Sequence, residues 1–146
     1  MPLNLFELKT RLEALFAAPP PTREQCAQTW ADAVQAYAVA ILPASTTVTA
    51  AAAALSPALA SAFATPLAGA GIDAAFAAFA ATVGGGMLGY TPVPPVTPLG
   101  TALQFSGPKP ATHAAAASQI GDLIHAWLTT GVSTLVAPPY TPQTWS

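Results

Sequence analysis

Charge is what this chain has least of. Of its 146 residues, four are Lys or Arg and six are Asp or Glu, 7% in all. An ordinary soluble domain carries about 25%. With four cations the surface cannot line a phosphate backbone with positive charge, so nucleic acid is not expected as a partner. Cysteine is nearly missing as well. Cys26 stands alone, which excludes an internal disulfide and a multi-cysteine metal cluster. The only histidines are His113 and His125. Both fall on one predicted helix, about 18 Å apart along its axis, too far to share an ion. The HExxH, CxxC and acidic calcium-loop spacings are also missing, so no metal site and no cofactor is expected.

Long apolar runs are missing too. The N-terminal stretch is interrupted by Glu7, Lys9, Arg11 and Glu13, which does not suit a secretory signal. The longest uncharged span, 33–72, contains Gln35, Pro43, Pro57 and Pro66. A membrane-spanning helix needs about 20 predominantly apolar residues in a row, so no membrane segment is expected.

What the chain does have is alanine, proline and helical periodicity. Its length suits a single domain over 1–146. Leu5, Leu8, Leu12 and Leu15 predict a helix over 4–16, stopped by Pro19, Pro20 and Pro21. Thr22 and Gln25 have capping-box spacing, and Cys26, Trp30, Val34, Tyr37 and Ile41 form the stripe of a second helix ending at Pro43. Ser45, Thr46 and Thr47 are N-cap candidates for a third helix, which Pro57 kinks or restarts. A fourth runs from about Asp73, as its cap, to Val83, before Gly84, Gly85 and Gly86. The last runs from Thr112 to about Thr130, with Gly121 placed to permit a close helix crossing. The expected fold is therefore mainly α, a small bundle of about five helices.

Residues 84–111 differ in kind. They hold six of the sixteen prolines, yet also Met87, Leu88, Tyr90, Leu99, Leu103 and Phe105. Disordered linkers are poor in such residues. The segment reads as an ordered extended arm, with one short strand near Ala102 to Phe105. Residues 132–146 read as a second extended segment, a short β-like piece followed by a proline-rich tail. The expected contacts with other subunits are Tyr90, Phe105, Tyr140 and Trp145, with Trp145 as an anchor in a neighbour's pocket.

Nucleophilic chemistry has few sources here. Asp122 and His125 are one helical turn apart, and Cys26 would complete a triad. Cys26 lies on the apolar stripe of its helix, where a thiol acts as a small hydrophobe. Gly84, Gly85 and Gly86 lack the Lys and Ser or Thr of a phosphate loop. No enzymatic activity is expected. Seven of the ten charges fall within residues 1–32. The rest of the surface would be poorly soluble if left bare, which points to cover by other subunits.

The segments CAQTWADAVQAYAVAILPASTTVTAA, GYTPVPPVTPLG and ATHAAAASQIGDLIHAWLTTG resemble small Ala/Thr/Pro-rich virion structural proteins of tailed bacteriophages and related contractile particles. The resemblance lies in texture along most of the chain and carries no site residue. It implies a structural role at a head–tail joint, tail or baseplate. The implied partners are further copies and other virion subunits, assembled in the host cytoplasm. A second resemblance is to the Ala-rich helical hairpins of mycobacterial PE/PPE secreted proteins, which would make the chain a partner-binding module. There the expected Pro-Pro-Glu is replaced by Pro19-Pro20-Pro21.

Overall fold

The computed structural model describes residues 3–65, 68–99 and 110–146. The fold is mainly helical. Helices α1 (Leu5–Ala17), α2 (Arg23–Ala38), α3 (Val48–Phe63) and α4 (Ala68–Gly85) follow one another, then strand β1 (Tyr90–Val93), helix α5 (His113–Leu128) and strands β2 (Val132–Leu135) and β3 (Pro142–Thr144). Each helix packs on its neighbour, α1 on α2, α2 on α3 and α3 on α4, while α5 returns to α1. The strands form one antiparallel sheet in the order β1-β2-β3.

The helix starts follow local chemistry. Asn4 caps α1 by accepting from the Glu7 amide at 3.1 Å, Thr22 caps α2 from Gln25 at 3.2 Å and Thr112 caps α5 from Ala115 at 3.0 Å. Each bond satisfies one of the donors a first turn leaves open. Leu8, Leu12 and Leu15 are buried as the spacing predicts. In α2 the deepest positions are Ala27, Ala31, Val34, Tyr37 and Ala38, so Cys26 and Trp30 sit at the edge of the stripe.

Three expectations are corrected. Pro57 does not restart α3; the helix runs continuously from Val48 to Phe63 with the proline inside it. Proline deprives the Ala53 carbonyl of its partner, but both residues are exposed, so water can serve that acceptor. Helix α4 begins at Ala68, which puts Asp73 inside it and not at its cap. The early start suits a close pairing of α3 with α4, because a methyl at Gly71 would lie 2.8 Å from Ala62 Cβ. Finally, Thr47 is the N-cap residue of α3 as expected, yet neither Ser45 nor Thr47 makes a side-chain capping bond there. Their hydroxyls donate to the Val83 and Thr82 carbonyls, both at 2.6 Å, and the Thr46 amide donates to the Gly86 carbonyl at 3.1 Å. They close the C-terminal end of α4, where carbonyls lack helical partners.

Gly121 behaves as its position suggests. A methyl there would lie 2.8 Å from Lys9 Cγ on α1. Among the described residues, one continuous core links helices α1 to α5 to Met87, Leu99 and Trp145.

Candidate assembly surfaces

The segment expected to reach a neighbour is folded onto its own chain. Trp145 has no exposed surface. Its ring lies over Gly131 and Gly84, and its Nε1 donates to Ser133 Oγ at 2.8 Å. Ser133 Oγ in turn lies 3.1 Å from Met87 Sδ, so the buried hydroxyl is satisfied on both sides. The backbone around the indole is tied as firmly. The Trp145 amide donates to the Gly131 carbonyl at 2.9 Å, and Leu42 and Ser146 exchange bonds of 2.8 and 3.0 Å. The expected seat for this indole was a neighbour's pocket; in the structure the seat belongs to the same chain. The signal that could have shown it is Gly131 two residues before Ser133, a gap and a polar partner on one strand face.

The other named contacts divide. Tyr90 is half-buried on β1 and packs against the core. Tyr140 is 57% exposed in the turn between β2 and β3, with φ 52°. Phe105 and the strand expected at 102–105 lie outside the described residues. The described part of the 84–111 segment includes helix and sheet: Gly84 and Gly85 finish α4 and Tyr90–Val93 is β1. Thr97 then accepts from Trp127 Nε1 at 2.7 Å, which lays the loop after β1 against α5.

The sheet has one face turned inward and one turned out. Paired residues share a face, so Tyr90, Pro92, Ser133 and Gln143 belong to the side of Trp145. The opposite face carries Thr91, Val93, Val132, Thr134, Pro142 and Thr144, without a charge. The free edge of β1 is closed to further strands. The Val136 amide donates to the Gly89 carbonyl, so alternate residues from Gly89 face β2 and Tyr90, Pro92 and Pro94 face away. The Tyr90 amide donates to Met87, and prolines have no N–H. Such an edge offers no donor to an added strand.

The surfaces of α3 and α4 are nearly as bare of charge. On α3 the exposed positions include Ala50, Ala53, Ala54 and Pro57, and on α4 Ala74, Ala77, Ala78 and Ala81. Asp73 is the single ionisable carboxylate of these two helices. Large apolar side chains stand out elsewhere: Val96 is 88% exposed, Phe6 79% and Leu88 76%.

The residues weighed for chemistry are not assembled. Asp122 pairs with Lys9 at 2.7 Å, and His125 Nδ1 bonds the Tyr37 hydroxyl at 2.9 Å. Burial pushes the Cys26 thiol up, away from the nucleophilic thiolate. Among the described residues no group of three His, Cys, Asp or Glu is arranged to hold a metal ion. A cleft of about 140 Å³ between the helices is lined by Trp30, Leu59, Phe63, Ile72, Phe76 and Ile120, all apolar. Among the described residues no helix is long and apolar enough to cross a membrane. Comparison with known protein families, curated sequences and solved structures finds no match.

Proposed function

We propose that this chain is a structural subunit of a phage virion or phage-like particle, acting by subunit packing without catalysis. The observation that carries the reading is the pairing of a finished interior with the nearly uncharged surface of α3, α4 and the outer sheet face. Every buried side-chain polar atom among the described residues has a partner. The exterior instead leaves Val96, Phe6 and Leu88 in solvent. Single exposed apolar residues are ordinary, but here they accompany alanine-faced helices and an uncharged sheet face. Cover by neighbours removes that surface from water at about 25 cal/mol per Å² of apolar area. Two contacts of about 800 Å² each would cover roughly a fifth of the 7509 Å² surface.

The partners in this reading are further copies of the chain and other virion subunits, and the place of assembly is the host cytoplasm. The β1 edge, with no donor to offer, is not expected to add a strand from a neighbour. The test is sedimentation velocity of the purified chain across concentration and between pH 5 and 8. The reading expects species of several subunits, increasing near the pI of about 5.4, where net charge vanishes. A species of 14.7 kDa at every concentration and pH would contradict it.

A further inference from the structure

We propose that residues 141–146 are exchanged between copies, so that β3 and the Trp145 indole of one subunit occupy the seat formed by Gly84, Met87, Gly131 and Ser133 of a second, which returns its own. The inference rests on the assembly reading above and names its first contact.

Two features lead to it. The first is the division of the tail into a plug and a hinge. Trp145 is fully buried, whereas Val136, Ala137, Pro138, Pro139 and Tyr140 are all exposed. The grip on the plug comes from outside the hinge: Ser133 on the indole, Gly131 on the Trp145 amide and Leu42 on Ser146. A second copy presents the same groups and can hold the plug in the same way. Within the hinge the Tyr140 amide donates to the Ala137 carbonyl at 2.9 Å, and its first residue, Val136, is held by the bond from its amide to the Gly89 carbonyl at 3.1 Å.

The second feature is that the closed hinge holds Tyr140 in an unfavoured backbone region. Tyr140 has φ 52°, in the left-handed region that non-glycine residues avoid. Opening releases Tyr140, and five extended residues span about 17 Å. Strained short hinges of this kind favour exchange, and reciprocal exchange closes on a two-fold axis.

The test uses two full-length chains in a Cys26→Ala background, one with Val132→Cys and the other with Thr144→Cys, distinguished by tags. These positions face each other across β2 and β3. They form a pair whose amides point away from one another, the arrangement that brings side chains closest. The chains are co-expressed and oxidised with glutathione disulfide. A single chain carrying both cysteines must cross-link, which shows that the pair is competent. Exchange predicts a disulfide-linked dimer containing both tags. It also predicts a several-fold lower yield with Tyr140→Asn, since Asn accepts the left-handed region several-fold more readily. An oligomer without the mixed disulfide overturns the exchange and leaves the assembly reading in place. A monomer without it overturns both. An unchanged yield with Tyr140→Asn overturns the role given to the hinge.

Discussion

Trp145→Ala should remove a large part of the protein's stability, and Gly131→Ala should be costly only while the indole is present. Truncating a fully buried aromatic side chain costs about 3–5 kcal/mol, against about 5–15 kcal/mol for a whole domain. At about 2–4 °C per kcal/mol for a chain of this size, the melting temperature falls by roughly 6–20 °C. Gly131 has no positive φ, so alanine suits its backbone. The added methyl would lie 2.5 Å from the indole Cδ2 and 2.6 Å from Cε3, nearer than packed carbons approach. Overpacking of this kind costs about 1–3 kcal/mol. In the Trp145→Ala background the same methyl enters vacated space and the cost disappears. Urea melts of the four proteins at low concentration complete the cycle, with an expected coupling of about 1 kcal/mol or more. Additive effects within about 0.5 kcal/mol would refute the placement of the indole over Gly131.

Other consequences follow from single contacts. Burial raises the Tyr37 phenol above its ordinary 10.0, so the folded state keeps a proton the unfolded chain loses. Stability is therefore full below about pH 10 and falls as pH rises beyond it, and Tyr37→Phe should flatten that fall in alkaline melts. Ser45→Ala and Thr47→Val should each cost about 1 kcal/mol, read by thermal melting, because each removes a donor to the end of α4. The Cys26 thiol, raised by burial, should react with iodoacetamide at pH 8 more slowly in the folded protein than in urea. Asp122→Ala, at a pair whose carboxylate is 57% exposed, should shift stability by less than about 1 kcal/mol.

The elements legible in the sequence are those decided by neighbours along the chain. Asn4 to Ala17, Thr22 to Ala38 and Thr112 to Leu128 each combine a local cap with an apolar face, and the structure has each as a helix. What could not be read locally are roles set by distant partners. Ser45 and Thr47 have the composition of an N-cap, but their acceptors lie 38 and 35 residues away on α4. Asp73 looks like a cap only if the helix begins there; Gly71 packing on Ala62 favours the earlier start. Trp145 follows a proline-rich run that reads as a free tail. Its seat is built from Gly84 and Gly131, residues whose spacing carries no helical or strand period. The pairing of β1 with β2 joins segments separated by α5, and no turn signal marks it.

The central claim is that this chain is built into a particle. Its most direct test is to purify particles from a culture that carries the gene and probe them with antibody to the chain under the electron microscope. Label is expected at one fixed location on every particle, with the chain present in constant ratio to the other particle proteins. A chain that stays in the soluble fraction while unlabelled particles form normally would contradict it.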